Sequence, residues 1–428
     1  MSSVPIVIIG NGIAGITAAR NIRKRSDQRI IVISKESDYF FSRTALMYVF
    51  MGHLKWEHLE PYERSFWQKN NIELLRARVV KLETKSKELF IESGESIAYD
   101  SLIIASGSVP QTYNWKGENY EGVQSLYSKQ DLEHLDKWSS TTKRAAIVGG
   151  GLIGIELAEM LSSRGIHVSL IVREDSFWNH VISRDEGRLL EEHFKAHGIE
   201  LHLATQLSEI KADENGRVNK ILTDTGQTLA CEFVGLTTGV RPNISFLNHS
   251  DVQINRGVLV NEFLETNIPQ VYAIGDCAEL RHPPPNRKAI EAVWYTARMM
   301  GETLALTLTG KKTAYRPGHW FNSAKFFDIE YQTYGQISPS PYEKEIHFCW
   351  VKRNANLALR FAYAPNSKRF LGINTFGIRL RHEVFDQWLT AQVSIDHVIS
   401  HLKEANFDPE FYSSYESQII AKWLHQKN

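Results

Sequence analysis

The stretch that decides the fold is VPIVIIGNGIAGITAARNIRKR, which spans Val4 to Arg25. It opens with an apolar run of strand length and passes through the glycine pattern G-x-G-x-x-G at 10–15. It then becomes a helical pattern with apolar residues on one face and basic residues on the other. The next segment, RIIVISKES at 29–37, returns to strand character. Strand, glycine turn, helix and strand together predict a βαβ unit that binds a dinucleotide.

The three glycines of this first glycine turn have separate roles. Gly10 permits a tight turn, Gly12 lets the backbone approach a pyrophosphate, and Gly15 lets the helix pack closely on the strand. The N-terminus of the helix offers free N–H groups and a partial positive charge to phosphate. An acid after the second strand would accept hydrogen bonds from ribose hydroxyls, and Glu36 is the candidate, although Ser34 holds the more usual position.

The same order of elements recurs in RAAIVGGGLIGIELAEMLSSRGIHVSLIVRED at 144–175, with Gly149, Gly151 and Gly154 as a second glycine turn. Two complete βαβ contexts in one chain are far stronger evidence than one glycine motif. The second strand of this unit ends on Val172-Arg173, where an acid is usual. Because an arginine attracts the 2′-phosphate of NADP, Arg173 favours NADPH; Glu174 is close enough to accept from the ribose of NADH instead.

Length and composition limit the classes of protein to which the chain can belong. A chain of 428 residues exceeds one usual domain, and its 49 basic and 49 acidic residues argue against a nucleic-acid partner or a basic membrane-surface protein. Three scattered cysteines are too few for a secreted disulfide framework or a four-cysteine cluster, and we expect no metal site. No signal-peptide pattern and no run of roughly 18 apolar residues is found, so we expect a cytoplasmic protein.

Further motifs in a fixed order carry a family resemblance. LIIASGSVP (102–110), TTGVRPN (237–243) and VYAIGDCAE (271–279) accompany the two glycine turns. Over 4–306 the chain resembles the FAD-dependent pyridine-nucleotide oxidoreductases, the family of glutathione reductase and the ferredoxin and rubredoxin reductases. The resemblance implies an α/β fold with two Rossmann-like domains and a C-terminal α+β domain. The implied domains are an FAD domain (1–115 and 245–314), an NAD(P) domain (116–244) and a C-terminal interface or dimerisation domain (315–428).

The resemblance also implies site residues. Asp276 would hydrogen-bond the ribityl chain of FAD, and Glu156 would meet the nicotinamide carboxamide. Trp294 could cover a ring, although a buried tryptophan is more often part of a core. In the family the third glycine, here Gly154, leans toward NADH. The remaining implied cofactor contacts are Ala105, Gly107, Gly239 and Gly275.

The segment YFFSRTALMYVFMG (39–52) suggests a branch of the family. It resembles the [YF]-x-R-P-P-L-S-K segment of ferredoxin reductases, rubredoxin reductases, apoptosis-inducing factor and the flavin portion of nitrite reductase. Arg43 matches the arginine beside the flavin nucleotide, whereas Tyr48 stands where the family has lysine. We therefore expect Glu156, Arg43 and Tyr48 to form the catalytic group. The disulfide reductases of the family carry a redox cysteine in this segment, whereas residues 39–51 here contain none, so we expect no disulfide reduction.

The implied activity is hydride transfer from NAD(P)H to flavin, with electrons passed on to a small carrier such as rubredoxin or ferredoxin. A helix beginning at Ala289, with Arg287 and Lys288 before it, would aim its positive end at the flavin. Basic residues of the C-terminal region form a possible carrier-docking patch, namely Lys352, Arg353, Arg379, Arg381 and His382. Two alternatives stay open: a membrane-surface NAD(P)H:quinone oxidoreductase, and a slow-turnover FAD-binding redox sensor or scaffold.

Overall fold

A computed structural model of the protein describes residues 4–408, 410 and 413–427. The chain divides into two compact units. Unit 1 contains the described residues up to Gln111, together with Ser125–Lys137 and Gly239–Pro317. Unit 2 contains Thr112–Gln124, Trp138–Thr238 and the described residues from Gly318 onward. These units are defined by contacts between residues, and the three domains given above stay a prediction.

The structure contains parallel and antiparallel strands. In chain order they are β1 Ile6–Ile9, β2 Ile30–Ser34, β3 Ile72–Arg76, β4 Val79–Glu83, β5 Glu88–Ile91, β6 Ser96–Ala98, β7 Ser101–Ile104, β8 Ser108–Pro110, β9 Val123–Gln124, β10 Arg144–Val148, β11 His167–Ile171, β12 Glu200–His202, β13 Leu207–Ala212, β14 Val218–Thr223, β15 Thr228–Ala230, β16 Phe233–Leu236, β17 Val240–Pro242, β18 Val258–Val260, β19 Val271–Ala273, β20 Ala278–Leu280, β21 Phe321–Phe326, β22 Ile329–Gly335, β23 Ile346–Lys352, β24 Leu357–Tyr363 and β25 Phe370–Phe376.

The helices alternate with strands in the first part of the chain and cluster at its end. In chain order they are α1 Ile13–Arg23, α2 Leu46–Phe50, α3 Ser65–Lys69, α4 Lys129–Ser139, α5 Leu152–Ser163, α6 Arg184–Ala196, α7 Trp294–Leu308, α8 His382–Thr390, α9 Ile395–Ser400 and α10 Glu416–Lys427. The final stretch, SYESQIIAKWLHQKN (414–428), has a sequence pattern that predicts a helix, and its last residue, Asn428, lies outside the described residues.

Unit 1 is built on a parallel sheet of strand order β19-β7-β1-β2-β3. The strands β1 and β7 are fully buried apolar runs, as expected for parallel strands covered on both faces. Helices α1 and α7 pack against each other at small residues, since a Cβ on Gly301 would lie 2.6 Å from the carbonyl oxygen of Ala14. The sheet reverses its strand order between β1 and β7, which is where nucleotides bind in such folds.

Unit 2 repeats this design and adds a second layer. Its parallel sheet has the order β12-β11-β10-β16-β9, so β10 occupies the position that β1 has in unit 1. The C-terminal part forms an antiparallel sheet of order β21-β22-β25-β24-β23, whose aromatic core is shared with α8, α9 and α10. The predicted fold class, two Rossmann-like units and a C-terminal α+β part, is confirmed.

One predicted helix begins later than its sequence pattern suggested. The helical pattern starts at Ala289, but α7 begins at Trp294. The carbonyl of Ala289 accepts a hydrogen bond from the backbone N–H of Leu280, which keeps this segment out of the helix. Within the segment Arg287 forms a buried ion pair with Glu291, so its charge is neutralised instead of adding to the field at the helix N-terminus.

Candidate functional site

The first glycine turn has the geometry of a phosphate-binding loop. Gly10 has a φ of +115°, and a Cβ there would lie 2.1 Å from the carbonyl oxygen of Ala105. A Cβ on Gly15 would lie 2.1 Å from the carbonyl oxygen of Gly10, so α1 packs closely on β1. A Cβ on Gly12, in contrast, would meet nothing within 4 Å. The two outer glycines are required by packing, whereas Gly12 leaves space in front of the N-terminus of α1 for a ligand.

The second glycine turn reproduces these contacts. Gly149 has a φ of +123°, and a Cβ there would lie 2.5 Å from the carbonyl oxygen of Thr237. A Cβ on Gly154 would lie 2.1 Å from the carbonyl oxygen of Gly149, and a Cβ on Gly151 would meet nothing within 4 Å. The N-terminus of α5 thus faces open space, as that of α1 does. In both turns the outer glycines are closely packed and the middle glycine faces open space, which is the geometry that accommodates the diphosphate of a dinucleotide.

Several polar side chains lie close together beyond the C-terminal end of β7 in unit 1. The hydroxyl of Ser108 donates to a carboxylate oxygen of Asp276 at 3.0 Å, which places the GD motif beside the A-S-G connector. Burial raises the pKa of Asp276, while the Ser108 hydrogen bond and the nearby Arg43 act against the rise. Gly275 has a φ of +74° and its Cα faces Ala14 of α1, so this glycine brings the motif close to the first glycine turn.

Other predicted contacts in unit 1 lie in the same connectors. Ala105 donates its backbone N–H to the carbonyl of Ile9, so it lies directly beside the end of β1. Gly107 and Gly239 have left-handed φ values of +67° and +106°. The carbonyl of Gly239 accepts a hydrogen bond from Gln111, which ties the second connector to the first.

Glu36 and Arg43 form the strongest ion pair of this group. The guanidinium of Arg43 donates to both carboxylate oxygens of Glu36, at 2.9 and 2.6 Å. Glu36 also accepts from the backbone N–H of Lys129 at 2.9 Å, and Arg43 donates to the carbonyl of Tyr127. The acid predicted to hold a ribose is therefore already oriented by two other segments, and it keeps lone pairs for a further donor.

Tyr127 was missed by the sequence analysis. Its hydroxyl accepts from the backbone N–H of Ser108 at 3.1 Å, and the guanidinium carbon of Arg43 lies 4.5 Å from its ring centroid. It precedes α4, where Ser128 and Asp131 form a reciprocal capping pair. The S-x-x-D pattern would have located the start of α4, but nothing in the sequence indicated that this segment meets Arg43.

Tyr48 and Trp294 lie in aromatic surroundings. Tyr48 is half-buried on α2, and its ring centroid lies 6.2 Å from that of His53. Trp294 is the first residue of α7, and its ring lies 6.2 Å from Phe40, against the core of unit 1. Neither observation assigns a chemical role, so the role of each residue stays a prediction.

Glu156 is a predicted site residue with a strongly perturbed acidity. It is the fifth residue of α5, beyond the first turn, so complementing the helix dipole does not explain it. Burial, and secondarily the charge of Glu159, raises its pKa to about 7. Glu159 itself receives a hydrogen bond from Lys325 at 2.9 Å. A carboxyl group that holds its proton near neutral pH can donate a hydrogen bond, which an ionised carboxylate cannot.

Arg173 is exposed and contacts its neighbour. Its side chain is 71% exposed and donates to a carboxylate oxygen of Glu174 at 2.8 Å. Val172 is buried at the position where the acid is usual. Arg173 is therefore free to turn toward a phosphate at the cost of one exposed ion pair, which is worth about 0–1 kcal/mol.

The cysteines are free thiols in apolar surroundings. Cys231 and Cys277 are buried and Cys349 is half-buried. Burial raises the pKa of Cys231 to about 12 and that of Cys349 to about 11, and it also raises that of Cys277. Since the thiolate is the reactive form, none of the three has the environment of a redox nucleophile.

Two glycine turns, each at the carboxyl edge of its own parallel sheet, define the class of proteins with two dinucleotide-binding folds in one chain. The chain belongs to the pyridine nucleotide-disulphide oxidoreductase family, whose match covers residues 4–301. Within the described part of the chain, every helix is too short or too polar to pass through a lipid bilayer.

Two relatives and one solved structure are similar to this chain. The chain is 30% identical over 284 residues to nitrite reductase [NAD(P)H] of Bacillus subtilis, covering 66% of this chain but only 35% of that relative. It is 30% identical over 334 residues to the 5,5'-dehydrodivanillate O-demethylase ferredoxin reductase subunit of Sphingobium sp., covering 77% of this chain and 81% of that relative. A solved NAD-dependent persulfide reductase from A. fulgidus superposes with a TM-score of 0.87 at 23% identity, covering 99% and 83% of the two chains. This last likeness concerns the fold alone.

Proposed function

We propose that the protein is a FAD-dependent NAD(P)H oxidoreductase that delivers electrons to a small carrier of the ferredoxin or rubredoxin type. The observation that supports this most is the presence of two glycine turns with the same geometry, one in each unit. One dinucleotide site suffices for a dehydrogenase that acts directly on its substrate. Two sites in one chain indicate that a nicotinamide nucleotide reduces a second, chain-bound dinucleotide.

We assign FAD to unit 1. Bound FAD supplies hydride acceptance and onward electron transfer. The open face at Gly12 and the N-terminus of α1 bind its diphosphate, and Glu36, held by Arg43, accepts from the ribose hydroxyls. Asp276 accepts from a sugar-chain hydroxyl while Ser108 fixes its carboxylate. These groups bind and orient the cofactor, and none of them needs to exchange a proton during the reaction.

We assign the nicotinamide nucleotide to unit 2. The open face at Gly151 and the N-terminus of α5 bind its diphosphate. The pKa of Glu156, raised to about 7, leaves a large protonated fraction near neutral pH, and in this form its carboxyl group would donate a hydrogen bond to the carboxamide oxygen and so orient the ring. Arg173 favours NADPH by pairing with the 2′-phosphate. NADH is the second candidate, because Glu174 lies beside Arg173 and can accept from a free ribose hydroxyl.

The acceptor is proposed as a small carrier protein because a relative that this chain largely covers is a ferredoxin reductase subunit. Two of the basic residues of the predicted docking patch have partners within the chain. Arg379 is paired with Glu330, and Arg353 with Glu192 at 3.2 Å. These pairs are solvent-accessible and can exchange partners, as the pair of Arg173 can, so the docking patch stays a prediction from the sequence. A cytoplasmic location and a homodimer stay predictions from the sequence.

The experiment that tests this function begins with the absorption spectrum of the purified protein. We expect the absorption bands of bound flavin. We also expect NADPH or NADH, mixed with the protein in the absence of oxygen, to bleach these bands rapidly in a stopped-flow measurement. Reduced protein is then offered ferredoxin, rubredoxin, a quinone in liposomes, or oxygen. Preferred reoxidation by the quinone would support the membrane-surface alternative, and slow bleaching would support the sensor alternative. A protein without flavin contradicts the proposal.

A further inference from the structure

A group of two histidines and one aspartate lies in unit 2, outside both glycine turns. His193 is in the last turn of α6, His197 is the C-cap of that helix, and Asp328 lies in the turn between β21 and β22. One potential ligand atom from each residue lies within 4.8 Å of the other two. The prediction of no metal site was made from the sequence although the spacing H-x-x-x-H occurs at 193–197.

The hydrogen bonding of His197 fixes which ring nitrogen is available. Its Nδ1 lies 3.0 Å from the carbonyl oxygen of His193, which can only accept, so Nδ1 carries the hydrogen. In the neutral ring Nε2 therefore has a lone pair, and it lies 3.8 Å from a carboxylate oxygen of Asp328. Two acceptors facing each other are unfavourable unless a proton or a metal cation lies between them.

His193 points toward the same place. Its side chain is only 4% exposed, and its Nε2 lies 2.6 Å from the same Asp328 oxygen without the angle of a hydrogen bond. Its Nδ1 lies 3.2 Å from the side-chain amide nitrogen of Asn356; when the amide is rotated by 180°, its oxygen takes that place and accepts a hydrogen bond from the Nδ1–H of the ring. A partner of this kind on the far nitrogen is what orients metal-binding histidines.

We propose that His193, His197 and Asp328 bind one divalent metal ion of the zinc type. Two imidazole nitrogens and one carboxylate oxygen form a donor set that zinc accepts, and the fourth position is open to water. Zinc ligands at about 2.0–2.2 Å from the ion would be roughly 3.3 Å apart, so small movements suffice. Asp328 can make them, because its side chain is 77% exposed at the tip of a hairpin. The ion would join α6 to the hairpin formed by β21 and β22.

The chain contains a matched control pair. His397 and His401 on α9 and its C-cap have the same spacing, and Nδ1 of His401 lies 2.9 Å from the carbonyl oxygen of His397. Among the described residues, no group of three metal-binding side chains includes this second pair. The neighbouring Asp396 accepts a hydrogen bond from the indole of Trp423 at 2.9 Å. The pair of His397 and His401 is therefore a control that measures how strongly two histidines at this spacing bind a metal ion without a carboxylate ligand.

The test uses the full-length, flavin-loaded protein after removal of any affinity tag and treatment with a chelator. Zn²⁺ is titrated calorimetrically, and Co²⁺ is titrated as a coloured probe of coordination. We expect one Zn²⁺ per chain, with binding at least about tenfold weaker in Asp328→Asn and in His197→Ala, and unchanged in His401→Ala. We also expect Zn²⁺ to raise the melting temperature of the unaltered protein and not that of Asp328→Asn.

The result that overturns the proposal is Zn²⁺ binding of equal strength in the unaltered protein and in Asp328→Asn, or no binding at all. Loss of binding in His401→Ala instead would place the ion elsewhere and would also overturn it. Asp328→Asn keeps the shape of an exposed side chain, so failure to fold is not expected; retained flavin absorbance and circular dichroism verify this. None of these readouts depends on enzymatic activity.

Discussion

The two glycine turns make the same backbone hydrogen bonds to the neighbouring strand. They differ in the contacts of the acidic residue that follows the second strand of each βαβ unit. Gly10 donates to Ile33 and Gly149 to Ile171, so the two sheets are in the same register at this point. Counting onward from these carbonyls, Glu36 in unit 1 corresponds to Glu174 in unit 2. Glu36 is fixed by Arg43 and by a backbone N–H from α4, whereas Glu174 is paired with its exposed neighbour, Arg173.

The difference indicates how one design can serve two nucleotides. An acid held by several segments of its own unit suits a cofactor that stays bound. An acid paired with an exposed arginine suits a nucleotide that enters and leaves, because the acid can exchange the arginine for a ribose hydroxyl and the arginine can exchange the acid for a phosphate. A second difference supports this. The position two residues after the third glycine is Thr17 in unit 1, buried against α7, and Glu156 in unit 2.

The largest expected effect comes from filling the open face of each turn. Gly12→Val and Gly151→Val both have room and extended backbones with negative φ, so both should fold. We expect Gly12→Val to bind FAD at least about a thousandfold more weakly, a loss of about 4 kcal/mol or more, because the side chain occupies the space of the diphosphate. Gly151→Val should keep its flavin but be reduced slowly by NAD(P)H. Flavin content and anaerobic reduction measure the two outcomes.

Each variant is the control for the other. If Gly12→Val retained flavin while Gly151→Val lost it, the assignment of FAD to unit 1 would be reversed. If both retained flavin and normal reduction, neither turn would bind a diphosphate.

The next effect concerns the ion pairs. Arg43→Met removes a bidentate partner from the half-buried Glu36, and we expect it to lower the free energy of unfolding by about 1.5–3 kcal/mol. Arg173→Met removes an exposed partner from Glu174 and should change the same quantity by less than about 0.5 kcal/mol. Urea denaturation of both proteins measures the difference. Equal losses would mean that the two acids are held with equal strength.

A third effect is the pH dependence that Glu156 imposes on stability. Its pKa is raised from 4.5 to about 7, so the folded protein binds the proton more tightly than the unfolded chain. The contribution of Glu156 to stability is unaffected below about pH 4.5, falls as the pH rises to about 7, and is then constant; the total loss is on the order of 3 kcal/mol. We expect Glu156→Gln to remove this fall in urea denaturation between those pH values.

Glu159→Gln is the matched control for that experiment. The charge of Glu159 contributes to the raised pKa of Glu156, so its removal should move the fall in stability to lower pH without abolishing it. An identical pH profile in Glu156→Gln and the unaltered protein would show that the acidity of Glu156 is not perturbed.

The fold was predictable because its close backbone contacts can be made by only one residue type, glycine. Gly10, Gly15, Gly149 and Gly154 lie where a side chain would strike a backbone carbonyl, so the sequence pattern carries the geometry directly. The apolar runs of β1 and β10 likewise predict buried parallel strands.

The parts that were not predictable depend on contacts between distant segments. Tyr127 meets Arg43 across 84 positions, and no local pattern encodes that contact. The start of α7 is set by a backbone hydrogen bond to β20, which overrides the helical pattern from Ala289. The spacing of His193 and His197 was available in the sequence, but Asp328, which completes the group, was not.

The smallest effect is the most informative about the second unit. Arg173→Ala should lower kcat/KM for NADPH by about tenfold, or about 1.4 kcal/mol, and leave that for NADH unchanged or higher. The removed guanidinium no longer pairs with the 2′-phosphate, and Glu174 becomes free to accept from a ribose hydroxyl. Lys35→Ala is the control, because Lys35 occupies the corresponding exposed position in unit 1 and should leave the ratio unchanged. An unaltered ratio in Arg173→Ala would mean that Glu174, the counterpart of Glu36, decides the choice of nucleotide, and Glu174→Ala should then lower kcat/KM for NADH alone.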